Sequence, residues 1–256
     1  MDLSVVVPAH EDAHALERSL PQLKAFLESL DRPFEILVSD DGTSDDSVRA
    51  TALRHGCRYV RSDRNRGKGH AVRLGVRSAR GRFLIFTDSD LPFGAEALGR
   101  VLHYLDFKEF EVVIGDRNLE GSTYHAEVPW ARRVGSRVFL FIVGRLLSTI
   151  RFDCQCGLKG FRTNVARDLF GVARIDRFAF DTELLYVSIL RNYDIKRLPV
   201  TLRSYERSQV RVLTDGARMF FDLFRILAWG WLGVYSKPSP AAAPAPVEVK
   251  VEREAA

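Results

Sequence analysis

The sequence predicts an α/β fold: a mixed, mainly parallel sheet flanked by helices. Short apolar segments rich in β-branched and aromatic residues predict strands at residues 3–9, 34–39, 58–61, 83–87 and 112–114. Segments with helical periodicity separate these strands, which implies crossover connections and parallel pairing. Because the strands are almost continuously apolar, we expect both faces of the sheet to be covered.

The elements follow in order along the chain. Between the first two strands, leucines recur at helical spacing: Leu16, Leu20, Leu23, Leu27 and Leu30. In the second half, residues 130–150 and 215–235 are predicted amphipathic helices with more apolar surface than a helix normally needs for its own core. Residues 236–256 are rich in proline and alanine and then charged, which predicts a disordered tail.

The composition is that of an ordinary globular protein. The chain has 256 residues, of which 46% are hydrophobic and 28% charged, with a net charge of +5. No apolar run reaches the ~18–20 residues that span a bilayer, and no basic segment of a signal peptide precedes the first strand. Cys57, Cys154 and Cys156 lack zinc-ligand spacing, so we expect reduced thiols.

Two classes of ligand site are disfavoured. The first strand is not followed by the glycine pattern of a dinucleotide site, and no phosphate-binding P-loop sequence is present. Basic residues are interspersed with acids and form no platform with aromatic residues, so we expect no nucleic-acid partner.

Asp88 and Asp90 end the fourth predicted strand. Ligands of open α/β sheets bind at the carboxyl ends of the strands, so these two acids lie where a ligand is expected. Carboxylates separated by one residue can flank one hard cation, and Mg²⁺ or Mn²⁺ bridging a diphosphate fits this chemistry.

Further polar clusters follow other predicted strands. They read PAHE at residues 8–11, DDGTSD at 40–45 and GDR at 115–117, and GKG at 67–69 precedes the fourth strand. All of the strand-end clusters should meet at one edge of a parallel sheet. Each also has a simpler explanation: Asp41 and Gly42 as a turn, Ser44 as a helix N-cap, and Lys68 as a solvated lysine in a basic loop.

These motifs together resemble a known family. VVVPAHE at residues 5–11, DDGTSD at 40–45, GKGHA at 67–71 and DSD at 88–90 are similar to the family 2 glycosyltransferases with a GT-A fold. QCGLKGF at 155–161 and FDTELL at 180–185 resemble its dolichyl-phosphate β-glucosyltransferase and polyprenyl-phosphate glycosyltransferase branch. The resemblance implies one GT-A domain over residues 1–235, with a nucleotide-sugar half at 1–118 and an acceptor and membrane-interface half at 119–235.

The resemblance also implies roles for individual residues. Asp90 would ligate the metal with Asp88, and Asp90, Asp181, Arg117 and Lys159 would form the catalytic set. The nucleotide sugar would contact Pro8, Ala9, Glu11, Asp40, Asp41, Lys68, Asp88, Ser89, Asp90 and Gln155. The acceptor phosphate would lie against Arg117, Arg132, Arg133, Lys159 and Arg207.

One residue departs from the pattern of related enzymes. Some polyprenyl-phosphate mannosyltransferases carry a metal-binding Gln two residues after the second Asp, whereas this chain has Pro92.

The functional reading of the second half of the chain has alternatives. Asp181 could cap a helix, Gln155 and Lys159 could form a polar edge-strand pair, and the apolar residues from Met219 to Phe221 could be core.

The activity implied is metal-assisted, inverting transfer of a hexose to a polyprenyl or dolichyl phosphate at the cytoplasmic face of a membrane. The donor is expected to be UDP-glucose, with GDP-mannose as the alternative. Amphipathic helices with arginines and tryptophans fit a membrane surface, although the same faces could pair in a homodimer. A family 2 transferase with a non-lipid acceptor and a non-enzymatic nucleotide-sugar-binding module are the competing hypotheses.

Overall fold

A central seven-stranded sheet organises the chain. The computed structural model describes residues 1–125, 130–147, 150, 152–203 and 212–236, without the side chains of 130–134, 136, 137 and 212–215. In chain order the elements are β1 (Leu3–Ala9), α1 (Ala13–Glu28), β2 (Phe34–Asp40), α2 (Ser47–Arg54), β3 (Arg58–Arg61), α3 (Lys68–Ser78), β4 (Phe83–Phe86), α4 (Glu96–Asp106), β5 (Val112–Asp116), β6 (Thr123–Tyr124), α5 (Trp130–Leu146), β7 (Lys159–Arg162), α6 (Thr163–Val172), α7 (Phe180–Leu190), β8 (Ile195–Pro199), β9 (Thr201–Leu202) and α8 (Val212–Trp231).

The sheet has the strand order β3-β2-β1-β4-β7-β5-β8, and β6 pairs with β9 in a separate two-stranded sheet. All pairs in the large sheet are parallel except those of β7, which runs antiparallel to both β4 and β5. The five predicted strands are present, which confirms a mixed, mainly parallel sheet. Sequence periodicity did not predict β7 or β8, because both lie in the part of the chain where polar residues interrupt the apolar pattern.

Helices cover both faces of the sheet, so the strands are buried as their composition predicts. On β2, Leu37 faces one hydrophobic core whereas Ile36 and Val38 face the other. The first core is closed by α3, α5, α6, α7 and α8, and the second by α1, α2 and α4. In α1 the predicted leucine stripe is buried, and only Leu30 lies beyond the end of the helix.

The antiparallel direction of β7 determines where the site forms. Parallel strands bring their carboxyl ends to one edge of the sheet, and an antiparallel neighbour brings its amino end to the same edge. Lys159 begins β7 and pairs in register with Phe86, the last residue of β4, and with Ile114 of β5. Residues that precede or begin β7 therefore lie beside the acids that follow β4.

The predicted amphipathic segments become α5 and α8, which pack against each other. No helix in the described part of the chain is both long enough and apolar enough to cross a membrane. The expected tail lies outside the described residues except for Ser236. All three cysteines are buried and free of disulfides, as expected from their spacing.

Candidate active site

The acids after β2 hold two loops in place. Asp40 is fully buried, and its carboxylate accepts hydrogen bonds from the Thr43 hydroxyl at 2.6 Å and from the Tyr59 hydroxyl at 2.6 Å. Asp41 accepts from the backbone N–H of Gly67 at 2.6 Å and of Arg66 at 3.1 Å. Asp41 therefore fixes the loop that leads into α3 and presents Lys68.

The segment after β1 is tied to the segment after β2. Pro8 and Ala9 are buried, and the carbonyl of Ala9 accepts from the N–H of Asp41 at 2.9 Å. Glu11 has a φ of 57°, and its carboxylate accepts from the N–H of Ser44 at 2.8 Å. This hydrogen bond lowers the pKa of Glu11. Ser44 is not the N-cap of α2, since that position belongs to Asp46.

Lys68 and Asp88 form an ion pair at the edge of the sheet. The ammonium group donates to Asp88 Oδ1, and the two side chains remain 23% and 31% exposed. Burial opposes the charged form of Lys68, but Asp88, Asp181 and Asp90 together raise its pKa. Lys68 is therefore a charged ammonium with ligand-accessible surface, in contrast to the alternative of a solvated loop lysine.

Asp90 lies in the same electrostatic environment as Asp88. Burial, followed by repulsion from the Asp88 carboxylate, raises the pKa of Asp90 to about 6. A third acid, Asp12, accepts a hydrogen bond from the hydroxyl of Ser89 at 3.1 Å, and burial raises its pKa. Ser89 is fixed from the other side, because its carbonyl accepts from the Ser19 hydroxyl at 2.6 Å. Asp12 was missed from the sequence, although its position directly after the β1 cluster was a usable signal.

Lys159 and Asp181 form a second Lys–Asp pair, which is buried. The ammonium lies 2.6 Å from Asp181 Oδ1 and donates to the carbonyl of Cys156 at 2.7 Å. The side chains are 0% and 6% exposed. The sequence led us to expect that Lys159 would face the acceptor phosphate. Instead, its ammonium group is buried and faces Asp181 on α7, because β7 runs antiparallel to its neighbours. Asp181 lies in the first turn of α7 and is not its N-cap, which is Ala179.

The loop before β7 packs directly on Asp88. A Cβ added to Gly157 would lie 2.0 Å from Asp88 Oδ2, so only glycine allows this approach. Gln155 is half-buried; its backbone N–H donates to Asp153 at 3.1 Å, and its amide nitrogen lies 4.0 Å from the sulfur of Met219 on α8. Gln155 and Lys159 therefore do not form an edge-strand pair, since β7 is a central strand.

Arg117, after β5, is held by a carboxylate that sequence reasoning did not identify. Its Nε donates to Asp153 Oδ2 at 2.6 Å and its Nη2 to Asp153 Oδ1 at 2.9 Å. Burial opposes the charge, but this two-point bond raises the pKa of Arg117. Asp153 is almost fully buried, whereas Arg117 is 25% exposed. Beside them, Arg197 Nε donates to the buried Asp116 at 2.7 Å.

The β4 edge fits a divalent cation that is shared with a diphosphate. Asp88 and Asp90 offer hard oxygen ligands; after burial, repulsion from Asp88 also raises the pKa of Asp90, and a cation would relieve that repulsion. No group of three or more His, Cys, Asp or Glu side chains is placed to hold a metal in the described ranges. Sites of the Mg²⁺ type commonly hold the cation with one or two carboxylates together with substrate phosphates and water.

Not every expected residue can be placed. Arg207 lies outside the described residues, and so do the side chains of Arg132 and Arg133. On α8 the run from Met219 to Phe221 divides: Met219 is buried in the core, whereas Phe220 and Phe221 are 39% and 66% exposed. Phe141 on α5 is 70% exposed.

Comparison with known sequences identifies the family. The model for "Glycosyl transferase family 2" matches residues 4–170, which contain the strand-end clusters and β7. The chain is a family 2 glycosyltransferase. The dolichyl-phosphate beta-glucosyltransferase of Drosophila melanogaster is 33% identical over 246 residues, covering 88% of this chain and 74% of that protein. The mouse enzyme of the same name is 32% identical over 256 residues, covering 90% and 77%.

Solved structures show that this glycosyltransferase has the GT-A fold. The glucosyl-3-phosphoglycerate synthase of Mycobacterium tuberculosis, solved with Mn²⁺, uridine diphosphate and glucosyl-3-phosphoglycerate, matches with a TM-score of 0.67 and 15% identity, covering 98% of this chain and 86% of that one. The mannosyl-3-phosphoglycerate synthase of Rubrobacter xylanophilus matches with a TM-score of 0.66 and 16% identity, covering 95% and 79%. At these identities the likeness establishes the fold only.

Proposed function

We propose that this glycosyltransferase transfers glucose from UDP-glucose to a polyprenyl or dolichyl phosphate, with inversion at the anomeric carbon. The observation that carries the proposal is the Lys68–Asp88–Asp90 cluster at the carboxyl end of β4, where a cation and a lysine can face a diphosphate. The names of the relatives at 32–33% identity support the choice of glucose and of a lipid phosphate acceptor.

The nucleotide sugar would bind across the ends of β1, β2 and β4. We assign the base and ribose to the segment formed by Pro8, Ala9 and Glu11 together with Asp40 and Asp41. Asp88, Ser89 and Asp90 would face the diphosphate, and Mg²⁺ or Mn²⁺ held by Asp90 and Asp88 would supply charge neutralisation there. Because Pro92 offers no ligand atom, the remaining positions on the cation would belong to substrate oxygens and water.

In the chemical step an oxygen of the acceptor phosphate forms a bond to the anomeric carbon of glucose. The bond from that carbon to the diphosphate breaks, and uridine diphosphate leaves with the electron pair. Lys68 stabilises the charge that develops on the leaving group. A phosphate monoester has a second pKa of about 6, so the acceptor is largely dianionic at neutral pH and a strong general base is not required.

The acceptor side would be formed by the segment after β5 and the loop before β7. The Arg117 side chain is 25% exposed, so its guanidinium group can contact the lipid phosphate while Asp153 fixes its orientation. Arg132, Arg133 and Arg207 remain further candidates for the same phosphate. Lys159 and Asp181 would act together from beneath the site: the buried pair fixes the start of β7, and the Asp181 charge favours the charged form of Lys68. Gln155 would line the sugar side.

We place the reaction at the cytoplasmic face of a membrane. A long isoprenoid remains in the bilayer, so the enzyme has to reach its surface. Exposed aromatic residues on α5 and α8, among them Phe141, Phe221 and Trp231, have the character of interfacial side chains. The three free cysteines fit a reducing compartment. Pairing of the same faces in a homodimer is the alternative that light scattering in the absence of membranes would reveal.

The direct test incubates the purified chain and Mg²⁺ or Mn²⁺ with a polyprenyl phosphate and a panel of UDP- and GDP-sugars. Mass spectrometry should detect one hexose on the lipid with UDP-glucose. Asp90→Asn should abolish this product, while Glu28→Gln, which removes one exposed charge on α1, should retain it. A product with GDP-mannose alone would overturn the donor assignment, and nucleotide-sugar binding without any lipid product would overturn the acceptor.

A further inference from the structure

A groove lined by arginines lies between α8 and the loop that joins α6 to α7. The loop before α3 contributes one residue, the α6–α7 loop contributes four and α8 contributes four. The lining residues are Arg66, Arg174, Ile175, Asp176, Arg177, Arg218, Phe221, Asp222 and Arg225. Arg117, an expected residue of the acceptor-phosphate site, is not among them.

The groove has an excess of positive charge. Five arginines face two aspartates, which leaves three positive charges in excess. Asp176 is already bound by Arg66 at 3.0 Å and also by Arg73, and Asp222 is bound by Arg225 at 3.0 Å. Arg174, Arg177 and Arg218 are exposed, and Arg174 lies over the Trp229 ring at 5.7 Å. Forked guanidinium groups of this kind bind phosphate oxygens at two points.

The groove borders the exposed apolar side of α8. Phe220, Phe224 and Trp231 recur at helical spacing and are 39%, 46% and 84% exposed. Phe221, 66% exposed, lies between this stripe and the arginines and lines the groove. An apolar face bordered by basic residues is the arrangement of a helix that lies in the plane of a membrane surface.

We propose that the arginine groove binds the headgroup phosphate of an anionic phospholipid while the neighbouring aromatic side chains enter the bilayer. This inference rests on the membrane location in the proposed function, and it adds a lipid site distinct from that of the acceptor. A lipid rather than a free phosphate is favoured because the groove is continuous with the exposed apolar face. Binding here orients α8 on the membrane, so that the isoprenoid acceptor and the active site share one side of the molecule.

The test compares binding of the full chain to vesicles of phosphatidylcholine with and without phosphatidylglycerol, measured by co-sedimentation. The groove variant is Arg177→Glu with Arg218→Glu. The matched control is Arg100→Glu with Lys108→Glu, which makes the same change of charge on and beside α4, across the sheet. We expect the groove variant to bind anionic vesicles at least about tenfold more weakly and the control less than about threefold.

Three outcomes would overturn the inference. Equal losses in both variants would mean that net charge rather than the groove attracts the membrane. Tight binding of soluble glycerol phosphate that is lost in the groove variant, with vesicle binding unchanged, would mean a site for a free phosphate. Loss of turnover in the groove variant with a detergent-dispersed short-chain acceptor would assign the groove to the acceptor.

A wild-type protein without turnover would refute the proposed function but leave the vesicle comparison valid. Circular dichroism confirms that both variants are folded.

Discussion

Two lysine–aspartate pairs lie at the same edge of the sheet, and their surroundings differ. Lys68 and Asp88 are 23% and 31% exposed, whereas Lys159 and Asp181 are 0% and 6% exposed. A partly exposed pair can exchange its partner for a ligand, because water and ligand reach both groups. A buried pair cannot, since separating it would leave an uncompensated charge in the core. We infer that Lys68 and Asp88, the open pair, interact with the substrate. Lys159 and Asp181, the closed pair, stabilise the fold around the site.

Among changes to the two pairs, the largest loss of turnover is expected when the Lys68–Asp88 pair is broken at Asp88. Asp88→Asn keeps the shape of the side chain but removes the charge that faces Lys68 and the cation. Turnover should fall by about 10²–10³-fold, the loss typical of one electrostatic contact to a reacting group. Steady-state kinetics with UDP-glucose measures it, and Glu28→Gln is the control. Retained activity would place the chemistry away from β4.

A smaller loss of turnover should follow when the Asp88 carboxylate is displaced. In Gly157→Ala the new Cβ would lie 2.0 Å from Asp88 Oδ2, so the carboxylate has to move. We expect turnover to fall by about 10²-fold, as for a misplacement of about 1 Å at a reacting centre. Gly171→Ala in α6 is the matched control, because its added Cβ meets nothing within 4 Å. Equal activity of the two variants would refute the contact.

Substitution of Arg117 should weaken the affinity for the lipid phosphate acceptor. Arg117→Lys keeps the charge but loses the two-point bond to Asp153, so the cation is no longer oriented. We expect the KM for polyprenyl phosphate to rise about tenfold, since one charge-assisted hydrogen bond contributes roughly 1.5–3 kcal/mol. The KM for UDP-glucose should stay the same, and a rise in that value instead would move Arg117 to the donor side.

The last prediction concerns the exposed aromatic side chains of α8. Phe221→Ser with Trp231→Ser removes two exposed side chains from α8, and vesicle binding should weaken by about tenfold or more, since each exposed aromatic buries apolar area in the bilayer. Turnover with a detergent-dispersed acceptor should remain. Phe107→Ser is the control, because Phe107 is 73% exposed just beyond α4, across the sheet. Equal weakening by the control would show that the α8 face is not the membrane contact.

The contrast between the pairs also shows what the sequence could predict. Glu11, Asp40, Asp41, Asp88 and Asp90 were predicted as site candidates because each lies at or just after the end of its strand. Lys159 and Asp181 were both predicted as functional residues, but their pairing was not, since it depends on an antiparallel strand inserted between β4 and β5. Asp153 was missed because 36 residues separate it from Arg117 along the chain. The sequence pattern at each strand end predicts which side chains lie at the binding edge of the sheet. The strand order determines which of these side chains pair with each other and become buried.

The most direct test compares Lys68→Met with Lys159→Met in two measurements, equilibrium unfolding and binding of UDP-glucose. For Lys159→Met we predict a loss of about 3–5 kcal/mol in the free energy of unfolding, because Asp181 would remain buried and unpaired. For Lys68→Met we predict a loss of less than about 1 kcal/mol but clearly weaker UDP-glucose binding. The opposite result would contradict this division of roles: a stable Lys159→Met variant that fails to bind UDP-glucose, beside a destabilised Lys68→Met variant that binds it normally.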